Sequence, residues 1–274
     1  MRVIRFQDAQ GQTRLGVPEG AGTAEALEGD LFTGLVRSGA RVEVRRLLPP
    51  VFPVNIFCVG LNYRAHAAET GAAIPADPVL FMKPTTAVIG PGEPIPLPAC
   101  SRGPEVDYEC ELAVVIGVRG RDIPEERALE HVLGYTAAND VSARRWQKHS
   151  GGQWVRGKSF DGFCPLGPAL VTRDEIPDPQ GLRLRTLLNG RTMQEGSTAD
   201  MIFSVARLVS FLSQDTTLLP GTVILTGTPP GVGFARTPPV FLQAGDEVIV
   251  EVEGIGALAN PVRQGAQEPL GSGR

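Results

Sequence analysis

The sequence predicts an α+β protein that is mostly β, and two observations carry this prediction. Short runs rich in Val, Ile, Leu and Phe alternate with turn-forming clusters, and the chain holds 33 Gly and 24 Pro among its 274 residues. That pattern is typical of strands joined by tight loops. Stretches with a helical spacing of apolar residues are few. The sequence therefore indicates a strand-dominated body with a small number of helices.

The first 52 residues are predicted to form a small N-terminal α/β subdomain and linker. RVIRF and TRLGV flank a turn-like segment and indicate a hairpin, and TAEALEGDLFTGLVRSG after them is interpreted as a short helical stretch. The run VRRLLPPVFPVN carries prolines at positions 49, 50 and 53 and favours a linker. The main domain is then predicted over residues 53–264, followed by a disordered tail over 265–274.

The main domain is expected to contain three helices between its strands. They are predicted near NYRAHAAET, in PEERALEHVLG and across DMIFSVARLVSFLSQ, where Ile202, Val205, Leu208, Val209 and Leu212 follow a helical stripe. The strands are expected in NIFCVG, PVLFMKP, ELAVVIG, PALVT, LRLRTLLNGRTMQ, GTVILTGTPPG and DEVIVEVEGIG.

Composition excludes several classes of protein. A hydrophobic content of 42%, a charged content of 20% and a net charge of −4 are ordinary for a soluble globular chain, and they argue against nucleic acid or an anionic membrane as partner. The chain shows neither a membrane-spanning apolar run nor a secretory signal, so we expect a cytoplasmic protein. Its four cysteines form no CxxC pair, which favours reduced thiols buried in the core over disulfides or a zinc site.

The segment VDYECELAVVIG carries acidic residues at every second position. In a strand, Asp107, Glu109 and Glu111 would all project from one face, while the apolar residues between them pack on the other. Two ionised carboxylates ~4 Å apart repel by about 4 kcal/mol at an effective dielectric near 20. A cation on that face is therefore one interpretation, and a half-exposed strand with a solvated acidic edge is an equally open one.

A further carboxylate favours the cation. Asp140 follows Asn139 at the predicted end of a strand in YTAANDVSARRW, and the chain has only three histidines. Carboxylates delivered from two strand ends describe an all-oxygen site, which suits Mg²⁺ or Mn²⁺ rather than Zn²⁺.

The chain resembles the fumarylacetoacetate hydrolase family from about residue 53 to about residue 263, and in particular its branch of hydrolase-domain-containing proteins. The matching stretches are VGLNYRAHAAE, PVLFMKP, VDYECELAVVIG, GYTAANDVSAR, WVRGKSFDGFCPLGPALVT, LLNGRTMQ, LLPGTVILTGTPPGVG and FLQAGDEVIVEVEGIGALANPV. The resemblance implies the family's fold, a mixed β-sheet roll or sandwich with few helices, and makes residues 53–264 the catalytic domain.

The resemblance also implies the metal ligands. In the family, the two glutamates of the YExE stretch and the aspartate of the NDxSAR stretch hold a divalent cation, which points to Glu109, Glu111 and Asp140 here. Asp107 shares their face but is not a ligand in that pattern, and we expect it beside the site. Mg²⁺ or Mn²⁺ is the implied ion, and Ca²⁺ is one that could replace it in a crystal.

Three catalytic residues follow from the same resemblance. His66 and Glu69 lie three apart, on one side of a helical turn, and in the family such a pair holds or deprotonates a water above the metal. Without the resemblance, a polar pair on an exposed helix end would be the simpler interpretation. Lys158 in RGKSFDGF is implied to face the substrate and stabilise an enolate or oxyanion, where an ordinary surface lysine is the alternative.

Four more residues are implied to line or brace the substrate pocket. Gln147 and Thr228 are expected to contact the substrate, Lys83 is a further candidate for the same pocket, and Arg144 is expected to hold the loop that carries Asp140. Thr228 lies in LTGTPPGVG, which lacks the GxxxxGK[ST] order of a phosphate-binding loop, so we exclude a nucleotide site there. A plain tight turn is the alternative for this loop.

The implied activity is metal-dependent chemistry on a small 2-oxo acid, such as an acylpyruvate or β-diketo acid, through a metal-stabilised enolate. Hydrolytic cleavage of a carbon–carbon bond is the first expectation. The alternatives are oxaloacetate tautomerisation or decarboxylation, isomerisation of a 2-hydroxy-diene-dioate, and, in a different class, a non-catalytic metal- or ligand-binding protein. The founding enzyme has one more acidic ligand before its histidine, which CVGLNYRAH lacks. Family analogy also implies a homodimer.

Overall fold

A computed structural model of the chain describes residues 1–20 and 22–265. It confirms a mostly β fold of mixed sheets with few helices. The strands, in chain order, are β1 (Arg2–Gln7), β2 (Thr13–Pro18), β3 (Thr23–Asp30), β4 (Gly34–Glu43), β5 (Arg46–Leu48), β6 (Asn55–Gly60), β7 (Val79–Met82), β8 (Val88–Ile89), β9 (Ile95–Leu97), β10 (Val106–Asp107), β11 (Cys110–Ile116), β12 (Val132–Asn139), β13 (Ser142–Ala143), β14 (Cys164–Thr172), β15 (Arg183–Leu188), β16 (Arg191–Ser197), β17 (Thr222–Leu225), β18 (Glu247–Val252) and β19 (Gly256–Gln264).

The helices are all short. The α-helices are α1 (Arg64–Glu69), α2 (Arg144–His149), α3 (Val155–Lys158) and α4 (Val205–Ser213). Single 3₁₀ turns span Thr85–Ala87, Pro179–Gly181, Thr198–Asp200 and Gly233–Ala235, and a seven-residue 3₁₀ helix spans Glu125–His131. In the part of the chain that the structure describes, none of these helices is long and apolar enough to span a bilayer.

Two sheets make up the body. The larger follows the order β4-β3-β2-β1-β14-β12-β11-β17-β6-β7, with β5 and β8 attached at its sides, and the smaller follows β16-β15-β18-β19-β9. Most pairs are antiparallel, but β17 pairs with β6 in parallel, so the larger sheet is mixed. The sheets pack face to face around a core that includes Leu112 of β11, Leu184 of β15 and Val250 of β18.

Strand β11 is buried on both of its faces. Leu112 and Val114 point into the core between the sheets, and Ala113 and Val115 point into a second cluster beside β6 and β17. Glu111 has the same parity as the second set, so it enters the protein rather than the solvent. The interpretation of this segment as a half-exposed strand with a solvated acidic edge is therefore wrong.

The helix expected in TAEALEGDLFTGLVRSG is also wrong, because this segment forms the hairpin β3–β4. Ala24 and Ala26, two residues apart, are buried as in a strand, and Gly29 and Gly34 take the positive φ values that the turn requires. Pairing with β2 outweighs the helix preference of Ala, Glu and Leu. The N-terminal region is thus built of strands, and β1 pairs with β14, which joins it to the larger sheet.

Other elements are partly as expected. The hairpin of β1 and β2 is confirmed, as are helices α1 and α4; α4 begins after Ser204, whose side chain accepts from the Arg207 N–H at 3.0 Å. The helix expected in PEERALEHVLG is a 3₁₀ helix rather than an α-helix; only its Ala128 is buried, and β12 begins directly after it. The boundary at residue 53 stays a prediction, and the predicted tail, apart from Gly265, lies outside the described residues.

Candidate active site

Register between β11 and β12 brings the predicted metal ligands together. Cys110 pairs with Asn139, so Glu109, just before β11, lies beside Asp140, just after β12. The Asp140 N–H donates to the Glu109 carbonyl at 2.8 Å, and the Asn139 side chain accepts from the Glu109 N–H at 3.0 Å. One carboxylate oxygen from each of Glu109, Glu111 and Asp140 lies within 4.8 Å of the others. All three residues are buried.

The acidic segment is not one continuous strand. Asp107 ends β10, which pairs with β13, and its carboxylate accepts from its neighbour's N–H, that of Tyr108, at 2.9 Å. Asp107 is fully buried and also accepts from the N–H groups of Gly233 and Phe234, at 2.8 and 3.0 Å. With its carboxylate already taken by these donors and by Arg144, Asp107 anchors the loop before β18 and lies beside the carboxylate cluster.

Two buried lysines partner the acidic cluster. Lys158 Nζ donates to Glu109 Oε2 at 2.7 Å and to Asp140 Oδ2 at 2.6 Å. Lys83 Nζ lies 2.6 Å from Asp140 Oδ1 and donates to the carbonyls of Val141, Lys158 and Phe163. Lys83 therefore links Asp140 to the surrounding backbone, while the ammonium of Lys158 lies between Glu109 and Asp140.

The three carboxylates differ in their electrostatic environment. Burial raises the pKa of Glu109, but Lys158 and Arg144 outweigh burial and hold that pKa below its usual value. Burial lowers the pKa of Lys158, yet Asp140 and Glu109 leave it raised. Burial, together with Asp140 and Glu109, raises the pKa of Glu111 well above its usual value. The negative charge at Glu111 is therefore the one that the protein compensates least.

Glu111 also tests whether these residues fit a metal ion. Its Oε2 accepts from the Gly227 N–H at 2.6 Å, and the two lysines pair with Glu109 and Asp140 instead. A buried carboxylate beside two others, with no cation of its own among the described residues, fits a divalent cation. The donor set is all oxygen, which matches the preference of Mg²⁺, Mn²⁺ or Ca²⁺.

Arg144 organises the other side of the cluster from the start of α2. Its Nε donates to Asp107 Oδ2 at 2.8 Å, and its Nη1 lies 2.6 Å from Glu109 Oε1 and 2.9 Å from Gln147 Oε1. The contacts of the Arg144 side chain thus go to Glu109 and its neighbours rather than to the loop that carries Asp140. Because Gln147 accepts from Arg144 through its oxygen, its amide N–H groups are the donors left for a ligand.

Helix α1 places His66 at the cavity. His66 Nδ1 lies 3.2 Å from Glu69 Oε2, and Glu69 Oε1 accepts from the Gly231 N–H at 2.8 Å. An ionised carboxylate can only accept, so Nδ1 carries the hydrogen and Nε2 is the free nitrogen of the neutral ring. His66 is 7% exposed whereas Glu69 is exposed, so the interpretation as a polar feature of an exposed helix end fails for the histidine of this pair.

The loop between β17 and β18 contributes Gly227 and Thr228. Gly227 has φ +97°, and a Cβ there would lie 2.8 Å from Asn62 Cβ, so glycine lets its N–H reach Glu111. Thr228 Oγ1 donates to the Cys110 carbonyl at 3.0 Å and accepts from Gln194 Nε2 at 2.8 Å. The Thr228 hydroxyl hydrogen is thus engaged within the protein.

A cavity of about 230 Å³ opens onto this cluster. Seven of the predicted residues line it: His66, Glu109, Glu111, Arg144, Gln147, Lys158 and Thr228. Glu69, Lys83 and Asp140 are not in its wall but contact residues that are. The predicted roles of all ten stay predictions, while their convergence is a feature of the structure.

Sequence reasoning missed part of the wall. Phe81 and Trp154, whose ring centroids lie 5.8 Å apart, form an apolar side, and Phe234 and Lys148 form another. A Cβ at Gly60 would meet the Trp154 ring at 2.1 Å, so this glycine makes room for it. No sequence pattern marks an aromatic residue as lining a pocket. Lys148 could have been singled out, because the chain contains only three lysines.

The cysteines are free, as expected, in the part of the chain that the structure describes. Cys58, Cys110 and Cys164 are buried in the core, and burial raises the pKa of the Cys164 thiol to about 12. Cys100 is exposed, so the expectation of a core position is wrong for this residue.

Comparisons with known proteins identify the family of this chain. Residues 55–263 match the family described as fumarylacetoacetate (FAA) hydrolase C-terminal, and residues 1–50 match the family described as Rv2993c-like, N-terminal. The chain is 50% identical over 224 residues to the mitochondrial oxaloacetate tautomerase fahd2 of Xenopus laevis, which covers 81% of this chain and 70% of that protein. It is 48% identical over 223 residues to the human mitochondrial oxaloacetate tautomerase FAHD2A, with the same coverage of both chains.

Solved structures give the same result. A 5-carboxymethyl-2-hydroxymuconate delta-isomerase from Mycobacterium smegmatis is 43% identical, with a TM-score of 0.84 over 96% of this chain and 100% of that chain. A fumarylacetoacetate hydrolase from Exiguobacterium antarcticum is 41% identical, with a TM-score of 0.82 over 96% of this chain and 99% of that chain. The family match covers more than half of the chain, and these relatives are named as enzymes, so this chain belongs to the fumarylacetoacetate hydrolase family.

Proposed function

We propose that this chain is a divalent-metal-dependent enzyme that moves a proton on a small 2-oxo acid and so interconverts its keto and enol forms. The observation that carries the proposal is the convergence of three buried carboxylates with Lys158 at the floor of a cavity that His66 also lines. Such a cavity combines charge stabilisation with a group that can exchange a proton near neutral pH.

Glu109, Glu111 and Asp140 would hold the cation, and Mg²⁺ or Mn²⁺ suits their oxygens. When bound, such an ion supplies a Lewis acid that stabilises negative charge on the keto oxygen of the substrate. Lys158 pairs with Glu109 and Asp140, and Glu111 has no direct cationic partner in the described part of the chain, so a bound cation would compensate the charge of Glu111.

His66 is the proposed acid–base group. Glu69 fixes its tautomer, and Nε2 removes the proton from the carbon next to the keto group or returns it there. The Lys158 ammonium and the Gln147 amide donate hydrogen bonds to the oxygens of the acid, and the backbone N–H of Thr228 is proposed to meet its carboxylate. A proton leaves one position of the substrate and enters another, so the reaction consumes no co-reactant.

Hydrolytic carbon–carbon cleavage, the first expectation from sequence, is kept as a second candidate. The pair of His66 and Glu69 is also suited to deprotonating a water, which cleavage of an acylpyruvate requires. We place proton transfer first because the relatives cited above include oxaloacetate tautomerases and an isomerase.

A proton NMR time course with Mg²⁺ separates these candidates. Oxaloacetate started in its enol form should reach the keto form faster with the enzyme than with the His66→Asn variant, while acetylpyruvate persists. Release of acetate and pyruvate from acetylpyruvate would replace the tautomerase by a hydrolase. Release of pyruvate from oxaloacetate faster than in the same Mg²⁺ buffer without enzyme would replace it by a decarboxylase. A non-catalytic binding protein would show metal binding with no turnover of either acid.

The surroundings of the enzyme are also proposals. We propose that it acts as a homodimer on a free small molecule and not on a macromolecule, and that it works in the cytoplasm. The vertebrate relatives cited above are named as mitochondrial proteins, so the cytoplasmic location is a proposal for this chain alone.

A further inference from the structure

The chain uses lysine almost nowhere except at its cavity. Of its 26 basic residues, only Lys83, Lys148 and Lys158 are lysines, and the others are arginines. Lys83 and Lys158 are 3% and 1% exposed and are held by Asp140 and the carbonyls around it. Lys148 is exposed, yet it too lines the cavity. The one exposed lysine of this chain thus lies at the cavity mouth.

Lys148 has no acidic partner. Within residues 1–20 and 22–265, no carboxylate oxygen lies within 4.0 Å of its ammonium, although lysines at surfaces commonly find one. The ammonium instead lies 3.7 Å from the centroid of the Phe234 ring, whose face attracts a cation. Its three N–H donors are therefore free to receive an anion from the cavity.

A second cation shares the same ring. Arg144 Cζ lies 4.4 Å from the Phe234 centroid, so the two positive charges are at most about 8 Å apart. Burial and the charge of Arg144 lower the pKa of Lys148, and the more distant charge of Asp107 offsets this only in part. Arg144 is already bound to Asp107, Glu109 and Gln147. Lys148 is thus the cation with unused donors.

The cavity therefore has two regions of different charge. Its floor carries the carboxylate cluster that would hold a divalent cation, and its mouth carries the positive charge of Lys148. A molecule bound at the floor through a 2-oxo acid group would present its far end towards Lys148. A second carboxylate at that end would meet a free ammonium, whereas a methyl group would leave the ammonium as it is.

We propose that Lys148 selects substrates with a second carboxylate, so that this enzyme prefers 2-oxo dicarboxylic acids over 2-oxo monocarboxylic acids of equal length. The inference rests on the proposed function, because it assumes that the 2-oxo acid end binds at the floor. Oxaloacetate, for which the cited relatives are named, is itself a 2-oxo dicarboxylic acid, so the inference adds the residue at the mouth that distinguishes this class.

The test compares two acids with five carbons each. 2-Oxoglutarate ends in a carboxylate, and 2-oxopentanoate ends in a methyl group at the same position. Calorimetry on the Mg²⁺-loaded protein measures the Kd of both for wild type, for Lys148→Met, which keeps the apolar stem on Phe234, and for Lys148→Arg, which keeps the charge. Arg207→Met is the matched control, because Arg207 lies near the Phe211 ring, at 5.9 Å, outside the cavity.

We expect wild type to bind 2-oxoglutarate at least about 10-fold more tightly than 2-oxopentanoate, as one charge-assisted hydrogen bond allows. Lys148→Met should bring the two Kd values within about 2-fold of each other by weakening only 2-oxoglutarate. Lys148→Arg should keep most of the preference, and Arg207→Met should keep all of it. These changes concern an exposed side chain, so the variants should melt as wild type does.

A second readout requires neither turnover nor a heat of binding. Trinitrobenzenesulfonate modifies accessible amines, and peptide mapping by mass spectrometry follows Lys148 separately from the buried lysines. The 2-oxo dicarboxylic acid should slow modification of Lys148, and 2-oxopentanoate should not.

Each remaining outcome overturns a defined part of the reasoning. If wild type binds both acids equally, or if Lys148→Met weakens both by the same factor, Lys148 does not read the second carboxylate and the proposed function stands. If neither acid binds the Mg²⁺-loaded protein, the role of Lys148 fails, and the NMR time course with oxaloacetate decides separately whether the proposed 2-oxo acid function fails with it.

Discussion

Replacing Glu111 by glutamine should remove metal binding without lowering the stability of the metal-free protein. Glutamine has the shape of glutamate and can still accept the Gly227 N–H through its Oε1. It removes the charge that burial, Asp140 and Glu109 disfavour. Two unit charges 4.8 Å apart repel by about 3 kcal/mol at an effective dielectric near 20. The free energy of unfolding of metal-free Glu111→Gln should therefore equal or exceed that of wild type.

The same substitution should abolish the response to metal. A cation at 100 times its Kd stabilises the native state by about 2.7 kcal/mol. In a chain of this size that raises Tm by about 5–10 °C. Wild type should show this rise on adding Mg²⁺ after treatment with a chelator, and Glu111→Gln should show little of it.

Asp107→Asn is the matched control for this experiment. Asp107 has the same parity along the segment as Glu111, but its carboxylate is bound to Arg144 and to the N–H groups of Gly233 and Phe234. This variant should lower Tm in the absence of metal and keep the rise with Mg²⁺. Paired melting curves by differential scanning calorimetry give both quantities. A full rise in Glu111→Gln, or no rise in wild type, would refute the assignment of the metal site.

Three further predictions concern the groups around the carboxylates. Lys158→Met should destabilise the metal-free protein by about 3–5 kcal/mol, because it leaves Glu109 and Asp140 without the buried cation between them. Urea unfolding curves with and without Mg²⁺ measure the loss, and a loss below about 1 kcal/mol would contradict the prediction. Gly227→Ala should lower the free energy of unfolding by at least about 1 kcal/mol and weaken Mg²⁺ binding, because φ at this position is +97° and the added Cβ meets Asn62. An unchanged Kd for Mg²⁺ by calorimetry would show that Gly227 does not support the metal site. His66→Asn should lower kcat for tautomerisation by about 10²–10⁴-fold without removing the Tm rise with Mg²⁺, and equal losses of both would show that His66 acts through the metal instead.

The local spacing of residues in the sequence was sufficient to predict some strands and helix α4. Side chains alternate along any strand, so the spacing of Glu109 and Glu111 placed both on one side before any partner strand was known. The stripe of Val205, Leu208 and Leu212 identified α4 in the same way, because a helix repeats its faces every few residues. Residue chemistry alone indicated an oxygen-donor cation site.

Helix preference failed where pairing decided the outcome. The segment of β3 and β4 is rich in helix-forming residues, but it lies against β2, and the hydrogen bonds of that pairing outweigh a weak local preference. The six-residue helix α2 was missed for a related reason, since so short a segment shows no periodicity.

The sequence by itself determined the β class of this protein and the acidic character of the segment around Glu109 and Glu111, because both follow from residue pattern and side-chain chemistry. The resemblance to a family added the choice of Glu109, Glu111 and Asp140 as candidate ligands. The tertiary structure alone decided that both faces of β11 are buried, that Lys158 pairs directly with Glu109 and Asp140 rather than with Glu111, and that Lys148 lies at the cavity mouth. Burial and distance set these interactions, and both depend on residues far apart in the chain, which only folding brings together.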